Sequence, residues 1–375
     1  MRNTGTIRVT PPPTPDRVSR AAAAVAAGRP VVVVDDADRE DEGDLVFAAE
    51  CATPELLAFT VRHTSGYVCV ALTGDECERL DLPPMHHSNG DRFGTAYRVT
   101  VDLRGTGTGI SATSRSRTVA ALAGSATRPS DLVRPGHVVP LRAREGGVLV
   151  RPGHAEAAVD LARMAGLRPA GALCEIVSRD RPGEMARGPE LEGFAREHDL
   201  EIVSIAELVT HRRRAELQVR RIAETGLPTA RGGLRAFGYR GVHDGAEHVA
   251  LVAGTVAGAD DVLVHVHTEC LSGDVFGSLA CGCGRALDDA MASVTARGRG
   301  VVIYVRAAGT VRACTLLGRV DETARRASAD VASSVLEDLG VDSVELLGDD
   351  TGAVQVPRRH RPVTAAACAL RAAAG

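Results

Sequence analysis

Apolar positions alternate between strand and helical spacing along the first 204 residues. Four consecutive valines, Val31–Val34, read as a strand buried on both faces, because β-branched side chains pack well on a pleated surface. Thr14 with Pro15 predicts a helix start ahead of it and Gly28 the helix end. Thr53 with Pro54 predicts a second start, followed by the strand-like YVCVAL at 67–72. Further helices are predicted near 153–165, where AVDLARMAGL has helical spacing, and near 188–198, with the strand ALCEIV at 172–177 between them. Segment 205–222 reads as one charged amphipathic helix with a solvated basic face. Beyond it, short alternating strands at 233–240, 247–254 and 261–266, separated by Gly and Asp turns, begin a β-rich second domain. The pattern is that of an α/β (α+β) protein with two domains, residues 1–212 and 226–375, joined by a linker at 213–225.

Composition narrows the picture. A chain of 375 residues is long enough for two domains, each burying its own core. Its net charge of -4 gives no basic footprint for nucleic acid. No run of about 18 apolar residues exists to span a membrane, and the amino terminus lacks the apolar core of a signal peptide, so a cytoplasmic location is expected. Nine cysteines in such a chain argue against a disulfide framework. Cys51, Cys69, Cys77, Cys174, Cys314 and Cys368 are scattered and read as small buried hydrophobes. There is no lysine, so a phosphate must be held by arginine, backbone N–H groups or helix ends.

The candidate chemistry begins where the valine strand runs into a dense acidic stretch, VVVVDDADREDEGD at 31–44. Taken alone, a charge run is usually a solvated turn. Carboxylates clustered at the carboxyl end of a strand also repel one another unless a cation offsets them, and a hard divalent metal is a natural offset. Later pieces join it: a glycine-rich loop with Thr108, Gly109, Ile110 and Ser111; RPGHVVPLR with His137; RPGHAEAAVD with Arg151 and His154 at a helix start; and Glu175 at a strand end.

DREDEGD, TGIS, RPGHVVPLR with GGVL, and RPGH before an AAVDLARMAGL helix, in this order, resemble 3,4-dihydroxy-2-butanone 4-phosphate synthase of riboflavin biosynthesis over about residues 17–212. The resemblance implies a mixed sheet with surrounding helices. It also implies a homodimer that converts D-ribulose 5-phosphate into 3,4-dihydroxy-2-butanone 4-phosphate and formate with magnesium or manganese. By the same resemblance Glu40 and His154 match the metal ligands, Arg39, Asp44, Thr108 and Arg151 match substrate contacts, and His137 and Glu175 match the catalytic pair. Two positions depart from the family pattern. Ala155 stands where threonine is usual, and Ser114 stands where aspartate precedes Arg115. A lost hydrogen bond to a charged group costs about 1.5–3 kcal/mol, so a raised KM is expected, and Ala155→Thr should lower it again.

Residues 267–283, HTECLSGDVFGSLACGC, set out Cys270, Cys281 and Cys283 as Cys-x10-Cys-x-Cys. Three thiolates plus a water make a sensible catalytic zinc site. The stretch resembles GTP cyclohydrolase II, a smaller α+β domain that in many bacteria follows the synthase and uses zinc to release formate and pyrophosphate from GTP. Other family signatures are missing. After VVIYVR the chain reads AAGTVRACTLL without the family's glutamate, and Arg325, Ala327 and Ala329 replace its acidic residue, arginine and tyrosine. GDDTGA replaces a later Thr-Asn-Asn-Pro, and His265 replaces an arginine. The expectation is an active synthase followed by a degenerate cyclohydrolase II-like domain, retained as a zinc-stabilised dimerisation or regulatory module. The alternative is a bifunctional enzyme that also hydrolyses GTP.

Overall fold

The computed structural model describes residues 16–36, 39–306, 313–314 and 322–347, the last stretch in side-chain detail from 327 onward. The chain divides into two compact units, Met1–Ala215 and Glu216–Gly375.

The first unit runs α1 (Arg17–Ala26), β1 (Val31–Val34), β2 (Gly43–Ala48), α2 (Pro54–His63), β3 (Cys69–Leu72), α3 (Gly74–Arg79), β4 (Val101–Leu103), α4 (Ala112–Ala123), β5 (Leu132–Arg142), α5 (His154–Met164), β6 (Ala170–Glu175), α6 (Pro189–Glu197), β7 (Ile202–Ser204) and α7 (Ile205–Ala215). Among the described residues its strands form one seven-stranded mixed sheet in the order β4-β5-β3-β6-β2-β1-β7. The valines of β1 are inner-strand residues, antiparallel to β2 and parallel to β7, with Val31, Val32 and Val33 fully buried. Side-chain alternation sends Val33, Val46, Cys69, Val139 and Leu173 into a core shared with α1, α5 and α7. Phe47, Val70, Val138 and Ala172 point the other way, against α2 and α4. Gly171 is where α5 lies tight on the sheet, since a Cβ there would stand 2.6 Å from the Ala158 carbonyl oxygen.

The second unit runs β8 (Val219–Thr229), β9 (Gly232–Gly241), β10 (Glu247–Ala253), β11 (Val262–Thr268), α8 (Cys283–Arg297), β12 (Gly300–Val305), α9 (Glu322–Asp338) and β13 (Val344–Leu346). Its described strands form a six-stranded mixed sheet, β13-β11-β12-β10-β9-β8. Ala332, Val335 and Leu336 of α9 pack on one face, and Ala290 and Val294 of α8 on the other.

Several predicted boundaries move: β3 spans 69–72 instead of 67–72, and the segment expected as a linker at 213–225 runs from the end of α7 into the first part of β8. The first helix is capped by Asp16, whose carboxylate accepts the Ser19 N–H at 2.7 Å, while Thr14 and Pro15 lie outside the described residues. The helix expected over 205–222 ends at Ala215, and its last residues enter β8. Strand β6 spans 170–175 instead of 172–177, because beyond Glu175 the chain keeps only isolated bridges. Among the described residues no helix is long and apolar enough to cross a membrane.

Candidate active site and thiol cluster

Strand register gathers the predicted residues of the first unit at one end of its sheet. Cys69 pairs with Val139 on β5 and with Leu173 on β6. His137 lies two residues before Val139, and Glu175 lies two residues after Leu173. Because β5 runs parallel to β3 and β6 antiparallel, both offsets lead off the same sheet end and keep the face of these core residues. Adjacent strands are about 4.8 Å apart, which puts the two backbones about 10 Å apart across β3. Asp44 stands directly opposite Glu175 in the β2–β6 register. Helix α5, whose first residue is His154, packs on that same face.

The imidazole of His154 is almost wholly buried between two carboxylates, with Nδ1 3.4 Å from Glu40 Oε2 and Nε2 3.9 Å from Asp44 Oδ1. Burial opposes its charge, but Asp44, Glu40 and Asp35 outweigh that and push its pKa up to about 9. Burial drives Asp44 up to about 7, with Glu175 and Glu40 adding repulsion. For Glu40 burial is outweighed by the hydrogen bond from His154 and the charge of Arg39, and its pKa falls. Arg39 reaches Asp35 at 2.7 Å and Glu40 at 2.9 Å.

Two observations test whether a divalent metal suits these residues. Asp35, Glu40 and His154 offer ligand atoms that all lie within 4.8 Å of one another. Asp44 Oδ1 and His154 Nε2 are buried with no hydrogen-bond partner, where such groups are normally satisfied. Carboxylate oxygens with one imidazole suit a hard cation, so the set fits. Asp35 has no signal in the sequence beyond membership of the acidic run.

His137 is half exposed on β5 and is held from behind. Its backbone N–H donates to Asp102 Oδ1 at 2.9 Å, and Nδ1 lies 2.6 Å from Asp102 Oδ2. An ionised Asp102 only accepts, which places a proton on Nδ1 and leaves Nε2 free. Gly109 closes over this pair with φ +86°, and a Cβ there would meet Asp102 Oδ2 at 2.1 Å. Asp102 is absent from the residues expected from sequence, because an acid within a short strand before a glycine-rich loop has no distinctive spacing. Glu175 accepts a hydrogen bond from the Ser65 hydroxyl at 2.7 Å.

Arg151 is committed to Glu156 Oε2 at 2.5 Å and to the Phe93 carbonyl oxygen at 3.1 Å, and Arg39 stacks over the Phe93 ring. Thr108 is exposed in its loop. Ser114 caps that loop, donating to the Thr106 carbonyl at 2.6 Å. Ala155 packs in the apolar core under α5.

In the second unit Cys270 follows β11, Cys283 opens α8, and the ligand atoms of Cys270, Cys281 and Cys283 lie within 4.8 Å of one another. A compact set of thiols is the donor chemistry zinc prefers, so this cluster fits that ion. Burial opposes ionisation of Cys270, but N–H groups of Cys314 and Gly273 and the Ser272 hydroxyl lower its pKa to about 6. Asp274 braces the loop: it accepts the Cys270 N–H at 2.8 Å and the Tyr304 hydroxyl at 2.7 Å, and lies 3.0 Å from His267 Nε2. Cys51, Cys69, Cys77 and Cys174 behave as expected of half-buried or buried thiols, their pKa values raised by burial. Burial raises the pKa of Cys314 too, but it is not a scattered core thiol: its Sγ lies 3.6 Å from Cys283 Sγ. Cys368, GDDTGA and the side chain of Arg325 lie outside the described residues, as does most of AAGTVRACTLL. His265 is half-buried on β11 beside the Leu347 carbonyl, and Ala327 and Ala329 flank Ser328, which bonds Thr268.

Residues 19–211 match the family profile of 3,4-dihydroxy-2-butanone 4-phosphate synthase, and residues 220–356 match that of GTP cyclohydrolase II. The chain is 63% identical over 290 residues to "Riboflavin biosynthesis protein RibBA" of Salinispora arenicola (strain CNS-205), covering 77% of this chain and 69% of that protein. It is 60% identical over 292 residues to the protein of the same name from Nocardia farcinica, covering 78% and 70%. Among solved structures, RibBX, a two domain 3,4-dihydroxy-2-butanone 4-phosphate synthase from A. baumannii, is 34% identical with a TM-score of 0.74, over 89% of this chain and 94% of that one. A 3,4-dihydroxy-2-butanone 4-phosphate synthase in complex with two magnesium ions is 43% identical with a TM-score of 0.51, over 53% and 97%.

Proposed function

Given that the chain belongs to the 3,4-dihydroxy-2-butanone 4-phosphate synthase family of riboflavin biosynthesis, with a GTP cyclohydrolase II region after it, we propose that its first unit converts D-ribulose 5-phosphate into 3,4-dihydroxy-2-butanone 4-phosphate and formate. The observation that carries this reading is the pair of buried atoms without a hydrogen bond, Asp44 Oδ1 and His154 Nε2, beside Glu40 at the sheet end that also bears His137 and Glu175.

Glu40 and His154 would hold a magnesium or manganese ion, with Asp35 beside them. When bound, such an ion polarises a ketose carbonyl and makes the neighbouring carbon more acidic. His137 is the base for that proton. Asp102 fixes its tautomer so that the lone pair of Nε2 is free to face the substrate. Glu175, held by Ser65, works from the other side of β3 as the second proton carrier. Arg39 and Arg151 meet the acidic sugar phosphate, and both are pre-placed by Phe93, which lowers the ordering cost of binding. All carbons of the sugar phosphate are accounted for in the two products, so the residues need only move protons and hold charge.

For the second unit we propose that GTP is not turned over, since Ala327 and Ala329 carry no group able to clamp a nucleotide or attack it. The alternative, a bifunctional enzyme that also hydrolyses GTP, rests on the match over 220–356. Parallel assays decide both points. Purified full-length chain with ribulose 5-phosphate should release formate only when magnesium or manganese is present, and GTP with zinc and magnesium should yield no pyrophosphate. Absence of formate under any divalent metal overturns the synthase reading; pyrophosphate from GTP overturns the second.

A further inference from the structure

Three thiolates alone leave one corner of a zinc tetrahedron open to water, the arrangement of a catalytic ion. We propose that Cys314 occupies that corner, so that this chain holds zinc through Cys270, Cys281, Cys283 and Cys314 as a closed structural site. The inference is independent of the synthase chemistry of the first unit.

The geometry of the sulfur atoms supports it. Zinc–sulfur bonds of about 2.3 Å at tetrahedral angles require sulfurs about 3.8 Å apart. Cys270 Sγ and Cys281 Sγ are 3.9 Å apart, and Cys283 Sγ and Cys314 Sγ are 3.6 Å apart. The two pairs share no atom, so between them they bring in all four sulfurs. The pairs are linked, because Cys270 belongs with Cys283 to the compact set of three and because the Cys314 thiol and backbone N–H both face the Cys270 sulfur. At 3.6 Å the Cys283–Cys314 pair is far too long for a disulfide, which needs about 2.05 Å.

The surroundings suit an ion that is held and not exchanged. Ser272 Oγ lies 3.3 Å from Cys270 Sγ, an outer-shell contact of the kind that orients a thiolate ligand. Asp274 ties the backbone of Cys270 to Tyr304 on β12 and to His267 on β11, so the loop carrying the first sulfur is fixed to two strands. Cys314 comes from beyond β12, thirty-one residues after Cys283, so a shared ion would staple the start of α8 to the chain leaving the sheet. A fourth thiolate also removes the position where zinc would activate water. The cluster then contributes folding energy to the second unit and no hydrolysis.

X-ray absorption on the full-length chain purified with zinc reads the ligand count without any variant. One zinc per chain with four sulfur neighbours and no oxygen is expected; three sulfurs with one oxygen, no bound zinc, or a Cys283–Cys314 disulfide by mass spectrometry overturns the proposal. Cobalt provides a second reading. The visible spectrum of the cobalt-loaded chain should not change between about pH 6 and 9 or on adding azide, whereas Cys314→Ser should gain a pH-dependent, azide-sensitive spectrum and lose zinc to a chelator about 10–100-fold more readily. A Cys314→Ser chain that matches the parent in both respects refutes the role of that thiol. Formate release by the first unit should be unchanged in the variant, so failure here is distinguishable from failure of the synthase reading.

Discussion

Asp102 is a small residue choice with a large consequence, because it decides which nitrogen of His137 can take a proton. Asn in its place would keep the shape and present an amide that can pair with the other tautomer. Asp102→Asn should therefore lower kcat by about 10²-fold while KM moves little, as expected when a base is misoriented and binding is untouched. Formate release under saturating and limiting ribulose 5-phosphate checks this; an unchanged kcat overturns the orienting role. At the same scale, Ala155 sits in the core beneath α5, so the expected gain in affinity from Ala155→Thr must be read together with a thermal melt. His137, His154 and Glu40 stand out as candidates in the sequence because their neighbours form compact motifs, and Glu175 enters through the family resemblance. Asp102 and Cys314 do not stand out, because each acts on a partner that no local motif marks, thirty-five residues away for Asp102 and His137 and thirty-one for Cys314 and Cys283.

Elements show where local signals suffice and where they fail. Helix α2 begins at Pro54 under the Thr53 cap, as its local chemistry dictates. Helix α1 takes its cap from Asp16, whose carboxyl is held down from 3.8 to about 2 by the Ser19 hydroxyl and N–H, with His211 adding to this. A carboxyl depressed in the folded state contributes stability that is present above its unfolded pKa and is lost as pH falls through the folded one. Asp16→Ala should cost about 1 kcal/mol near neutral pH, and the gap from the parent should close between about pH 4 and 2. Denaturant melts across that range test it; a gap independent of pH refutes the cap. Strand β8 illustrates the opposite case. It is an almost wholly exposed edge strand containing Pro228, and it is held by backbone pairing with β9, so no apolar alternation announces it and its first residues continue the helical pattern of α7.

At the scale of the molecule, each unit has its own apolar core, so each should unfold in its own transition. Magnesium at about 100 times its dissociation constant adds about 2.7 kcal/mol to a unit that binds it only when folded. Calorimetry should therefore show one transition raised several degrees by magnesium and another lowered by a zinc chelator. A single transition answering to both metals refutes the division.

The chain by itself determined the class of fold, the order of most helices and strands, and a set of candidate side chains for metal and proton chemistry, because periodicity, caps and compact motifs are local properties. Only the tertiary structure decided that β5 and β6 flank β3 in opposite directions, so that His137 and Glu175 leave the sheet at one end beside Asp44. It alone brought Cys314 to Cys283. Register and long-range approach are set by how whole faces bury their apolar surface, and that is a property of many residues at once.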